Sequence, residues 1–94
     1  MINSEQGLKN AFSRSVQLVY DEIREKCPVR TGRLKNSLTC TAENNVGEIS
    51  TDVEYAAMVE FGAGGRRPKA FMKNGLEAAK GKVAEIYLEE LLND

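Results

Sequence analysis

A run of cations on a glycine-rich stretch is the part of this sequence best equipped for chemistry. Gly62-Ala63-Gly64-Gly65-Arg66-Arg67-Pro68-Lys69 places three positive charges directly after a compact apolar segment, Tyr55 to Phe61. Guanidinium and ammonium groups so placed can hold carboxylates or phosphates. The glycines permit backbone angles that a Cβ resists, and Pro68 biases Arg67 toward an extended conformation. The stretch therefore reads as an arm that leaves the core near Phe61 and returns at Phe71, with those two aromatics as its anchors. It lacks the Gly-x-x-x-x-Gly-Lys-Ser/Thr order of a phosphate cradle. A protein-docking loop using Arg66, Arg67 and Lys69, with Arg30 and Arg33 next, is the preferred reading. Nucleic-acid contact through the same cations is the competing one, but no aromatic stacking pattern accompanies them.

Other reactive groups are few. The chain has no histidine and no tryptophan, which removes the commonest general base and transition-metal ligand. Cys27 and Cys40 lie outside any Cys-x-x-Cys spacing and read as small core residues. Asp52, Glu54 and Glu60 read as a polar edge and as ion-pair partners. No catalytic, cofactor-binding or metal-ligating set is expected, and the chain is not expected to be an enzyme.

The scaffold around the loop is modest. Ninety-four residues, 41% hydrophobic and 29% charged, suit one domain over residues 1–94, burying roughly 60 to 65% of its unfolded surface with no deep enclosed pocket. No apolar run reaches membrane-spanning length, and the opening Met-Ile-Asn-Ser-Glu-Gln-Gly lacks signal-peptide character, so a cytoplasmic chain with reduced cysteines is expected. A net charge of -1 gives no support for nonspecific binding to DNA or membranes. The charge is nevertheless uneven. Cations concentrate between Arg24 and Lys35 and between Arg66 and Lys82, while Glu85 to Asp94 carries only acidic charge. This pattern fits self-association through complementary surfaces as well as the solvated faces of two helices.

The spacing of Leu8, Phe12, Val16, Val19, Ile23 and Cys27 predicts an amphipathic helix over 3–26, stopped by Pro28. Thr31 is then placed to cap a short helical turn that turns Leu34 and Leu38 inward. From Ser37 the pattern alternates, predicting a strand with Leu38, Cys40 and Ala42 on one face. After a turn at Glu43-Asn44-Asn45 a second strand follows, with Ile49, Thr51 and Val53 inward, so the two should form an antiparallel hairpin. Residues 55–61 fit either a helix face or a strand face, and a short helix is the reading taken. Met72, Leu76, Ala79, Val83, Ile86 and either Glu90 or Leu91 predict a closing helix over 71–92. Gly75 and Gly81 weaken it by roughly 1 kcal/mol each relative to alanine, so its first turn needs tertiary support. The fold expected is α+β: a long N-terminal helix, a small antiparallel sheet with a hairpin, a short middle helix and a C-terminal helix.

Three segments carry a family resemblance: Pro28-x-x-Thr31-Gly32-x-Leu34-x-x-Ser37-Leu38, then Tyr55-Ala56-x-x-Val59-Glu60-x-Gly62, then Arg67-Pro68-x-x-Phe71-Met72. In this order, after one amphipathic helix, they resemble the tail-completion or head-to-tail joining proteins of long-tailed bacteriophages and prophages. The resemblance covers nearly the whole chain. It implies a small α+β virion protein without a catalytic centre, acting at the neck or tail end. Such a protein binds copies of itself, as a homo-oligomer or ring, and neighbouring tail or neck proteins. It would be found in the host bacterial cytoplasm during assembly and then in the virion. The resemblance also implies that Gly32 and Gly62 serve backbone geometry, that Tyr55 and Phe71 anchor the core, and that Glu60 partners a nearby arginine. The rival reading is a prophage-encoded nucleic-acid-binding accessory protein using the basic loop.

Overall fold

In a computed structural model, which describes residues 4–29, 32–62, 65 and 67–92, the chain runs through six elements. These are α1 (Ser4–Lys26), α2 (Arg33–Ser37), β1 (Thr39–Glu43), β2 (Val46–Ser50), α3 (Ala56–Phe61) and α4 (Phe71–Leu92). The fold is α+β, as the periodicities predict.

The long helices set the frame. They pack antiparallel, with Gly7 beside Glu90 and Leu91 at one end and Gly75 against Ile23 at the other. A Cβ at Gly75 would lie 2.5 Å from Ile23 Cα and 2.7 Å from its backbone nitrogen, so the two backbones touch where only hydrogen separates them. This close approach turns α4 by about one position from the expected face. Phe71, Gly75, Ala79 and Ile86 are buried, whereas Met72 and Val83 are only half-buried and Leu76 is exposed. Gly75 makes the close approach to α1, and Phe71, Ala79 and Ile86 are buried on the same helix. A similar correction applies to α1, where Gly7 is buried and Leu8 is exposed.

Ion pairs tie the same helices together. Arg14 reaches Glu90 (2.9 Å) and Glu89 (3.4 Å), and Glu22 bridges Lys82 (3.1 Å) and Lys26 (3.5 Å). The Lys82 hydrogen bond, more than the other charges nearby, holds the Glu22 carboxyl below its ordinary value.

The two strands form an antiparallel pair in which Glu43 faces Val46, leaving a two-residue turn. Asn44 and Asn45 both have positive φ, 51° and 65°, as a type I′ turn requires. The strands are shorter than predicted. Ser37 closes α2, donating its hydroxyl to Leu34 O (2.6 Å) and accepting from Thr51 Oγ1 (2.5 Å). Thr51 Oγ1 in turn accepts the Val53 N–H (3.1 Å), which bends the chain after β2. Ala42 is exposed and Cys40 half-buried, so the hairpin leans on α1 by its base and through Gly47, which meets Val16. The main core joins Ile23, Cys27, Leu34, Leu38, Val53 and Phe71. Tyr20 secures it from α1 by donating to Leu38 O (3.1 Å), with the Arg24 guanidinium over its ring and bonded to its hydroxyl.

Candidate functional site

The connection between α3 and α4 starts from a closed base. Gly62 donates its N–H to Met58 O (2.8 Å) at φ 76° and ψ 149°, a conformation that side chains with a Cβ resist. Lys69 N–H then donates to Val59 O (2.8 Å), drawing the two ends of the connection together. The carboxylate of Glu60 completes the closure, its two oxygens accepting the N–H groups of Met72 (2.9 Å) and Lys73 (3.1 Å). These are first-turn donors with no partner inside the helix, and a carboxylate suits the positive end of α4. Glu60 is therefore a helix cap, and the arginine partner expected for it is replaced by backbone. Phe71 is 1% exposed and anchors the far end. Phe61, expected to anchor the near end, is instead 76% exposed; Val59 and Glu60 do that work, because α3 turns Phe61 outward.

Arg67, Pro68 and Lys69 are exposed, and the two cations make no ion pair among the described residues. Arg66 lies outside the described residues, as do Arg30 and Thr31. The cap position of α2 falls on Gly32, not Thr31: Gly32 has φ 84°, and its carbonyl accepts the Asn36 N–H (2.9 Å). Pro28 is half-buried and Leu34 buried, placing that motif against the core.

Arg33 is already engaged. Its guanidinium grips both oxygens of Glu54 (3.2 and 3.0 Å) and lies 5.4 Å from the centroid of the Tyr55 ring. The pairing raises the guanidinium above its ordinary value. Glu54 is held low, first by a hydrogen bond to its own backbone and then by Arg33. Tyr55 and Ala56 are half-buried against the core from the start of α3. Thus the structure places Arg33 on α2, bound to the segment leading into α3, while Arg67 and Lys69 stand on the α3 to α4 connection with their charges uncommitted among the described residues.

Burial pushes both cysteine thiols up, away from the thiolate that reacts or binds metal. Among the described residues no cluster of three cysteines or carboxylates could hold a metal ion, and no helix is long and apolar enough to cross a membrane.

An open groove of about 670 Å³ escaped the sequence reading. Phe12, Val19, Ile49, Met72, Leu76 and Tyr87 are among its lining residues. The signal for it was the number of large apolar residues on α4, more than a single contact face of a helix uses. Ser15 Oγ, in the groove's wall, is the one buried side-chain polar atom without a partner among the described residues.

Neither a curated protein nor a solved structure matches this chain. A family model does, described as "Bacteriophage HK97-gp10, putative tail-component", over residues 4–62. The match spans α1, α2, the hairpin and α3, more than half of the chain, and ends at Gly62 where the cationic connection begins. The chain belongs to the HK97-gp10-like family of bacteriophage tail components.

Proposed function

We propose that this chain joins or completes the phage tail by associating with copies of itself and with neighbouring tail or neck proteins. It does so in the host cytoplasm during assembly and remains in the virion tail or neck. The role is binding and not catalysis, and the residues assigned to contact are Arg66, Arg67 and Lys69, with Arg30 and Arg33 at a second cationic site. The observation that carries the reading is the closed base of the α3 to α4 connection. Lys69 N–H on Val59 O and the Glu60 cap hold both ends of a cationic segment, so it can meet a partner without loosening the core. Paired and desolvated at an interface, each arginine contributes about 2 kcal/mol or more, while charges at the rim mainly change the association rate.

Replacing Arg66, Arg67 and Lys69 together with alanine should leave cooperative melting unchanged. In a phage lacking the gene, the variant should fail to restore joined particles, so that heads and tails accumulate separately. Normal yields of infectious particles would overturn the assignment. Binding of duplex DNA that falls steeply with salt and is lost in the variant, while assembly continues, would favour a nucleic-acid role.

A further inference from the structure

Helix α3 turns apolar side chains outward. Met58 and Phe61, one turn apart, are 58% and 76% exposed, and Phe61 is the one exposed ring among the three phenylalanines and three tyrosines of the chain. The orientation is enforced. Gly62 N–H on Met58 O, Lys69 N–H on Val59 O and the Glu60 cap on α4 fix the helix about its axis, so Phe61 cannot turn inward without breaking them. An aromatic ring held out in this way loses little freedom on binding, and aromatic residues and arginine dominate the energetic centres of interfaces. The bond from Lys69 to Val59 brings Arg67 and Lys69 to the same end of α3, with no ion pair among the described residues. Glu54 and Glu60, on the α3 side, are already held by Arg33 and by the first turn of α4.

The far end of α4 offers the complementary surface. Leu88 and Leu92, also one turn apart, are 59% and 71% exposed, and Glu85 and Glu89 are exposed beside them, at spacings that put helix side chains next to one another. After Lys82 the sequence has no cation. Arg14 is shared between Glu89 and Glu90, while Glu85 has no ion pair among the described residues. None of these α4 residues lines the apolar groove, whose own lining includes Lys73, a like charge to Arg67 and Lys69.

An apolar pair beside cations and an apolar pair beside carboxylates attract one another. Within one chain they cannot meet. Glu60 pins α3 beside Met72 at the start of α4, and the span from Met72 to Leu88 is about 24 Å of helix. We infer that Met58 and Phe61 of one copy pack on Leu88 and Leu92 of a second, with Arg67 and Lys69 facing Glu85 and Glu89. The inference rests on the self-association proposed above and names its two surfaces. Because the two patches differ, the contact is head to tail, and each bound copy presents a free patch to the next. Such contacts close into a ring or run on as a filament.

Exchanging the charges tests this, read by sedimentation velocity on the full chain. One variant carries Arg67→Glu with Lys69→Glu, the other Glu85→Lys with Glu89→Lys. All four positions are exposed, and Arg14 keeps Glu90 at 2.9 Å, so both variants should melt like the wild type. Wild-type association should weaken as salt rises. Each variant alone should associate about tenfold or more weakly than the wild type, and an equal mixture should recover association, because each variant finds the opposite charge on the other. Phe61→Ser and Leu88→Ser probe the apolar half. Each alone should weaken association by about 30-fold or more, and mixed they should form one-to-one dimers and nothing larger, since one intact patch of each kind remains. Wild-type protein that stays monomeric at millimolar concentration, variants that associate normally, or mixtures that recover nothing would overturn the inference. Should a charge variant lose cooperative melting, the serine pair gives the same exchange. Failure of the exchange beside loss of joining in the triple alanine variant removes this contact and leaves the tail role. Recovered association beside normal joining removes the joining role of the loop and leaves the contact.

Discussion

A methyl group added at Gly75 and one added at Gly81 should move stability in opposite directions. At Gly75 it would meet the backbone of Ile23 at 2.5 Å, which a flexible side chain could evade but a helix cannot. Gly75→Ala should therefore cost about 1 to 3 kcal/mol, the range for overpacking a tight contact. At Gly81 the methyl meets nothing within 4 Å, so Gly81→Ala should stabilise by roughly 0.5 to 1 kcal/mol through helix propensity. Urea titration of both variants checks the pair. In the sequence the two glycines look alike, and only the approach of α1 separates them. Glu60 is the second case: its carboxylate holds two backbone donors, so Glu60→Ala should cost about 1 kcal/mol, in the range of lost helix caps, lowering the melting temperature by about 4 to 8 °C. That role was not legible, because the donors it serves are backbone groups twelve and thirteen residues away. Glu22 gives the pH dependence. Its carboxyl is held below the ordinary 4.5 by Lys82 and then by Lys26, so folding favours the ionised form. The stabilisation is complete above the ordinary carboxylate value and is lost as pH falls through the lower value of the folded protein. Glu22→Gln should flatten the acid side of a plot of melting temperature against pH, and an unchanged slope would show that other groups control it.

Among the elements, those with a strong repeat were legible. The apolar residues of α1 recur at helical spacing, and the alternation on either side of Asn44-Asn45 announces a hairpin. Boundaries were less so: Ser37 belongs to α2 because its hydroxyl bonds back to Leu34 O, a choice that alternation does not register. The same limit applies to α4, where Ala79 and Ile86 are buried as their spacing predicts but Phe71 and Gly75 take the places expected of Met72 and Leu76. Val83, on that basis, would be a core position where a charge unfolds the chain; half-buried beside the groove, it should tolerate one better than Ala79, which is fully buried. Ala79→Asp should abolish cooperative melting, whereas Val83→Asp should retain it at a lower temperature. The turn offers an independent test, since both asparagines sit at positive φ. Asn44→Val should cost about 1 to 2 kcal/mol, the penalty of a left-handed conformation for a residue with an ordinary side chain.

At the scale of the whole molecule, a radius of gyration of 15.6 Å and extents of 56 × 22 × 18 Å describe a rod, against a radius of about 12 Å for a compact chain of this length. Elongation follows from pairing two helices of 23 and 22 residues with only a small sheet beside them. It was not legible in composition, which is that of ordinary globular proteins. The cationic segment was legible, because three charges after glycine need no neighbours to be noticed. The groove was not, because its walls come from α1, β2, α3 and α4 together. The closed base of the α3 to α4 connection carries a separate consequence for how this chain can be altered. With its ends pinned between Val59 and Lys69, the span between them is decoupled in length from the rest of the protein, and each doubling of such a span costs only about 0.6 kcal/mol. Gly65 is thus a point where an inserted peptide should leave the melting of the domain unchanged, so that any loss falls on the contacts proposed for Arg66 and Arg67 alone.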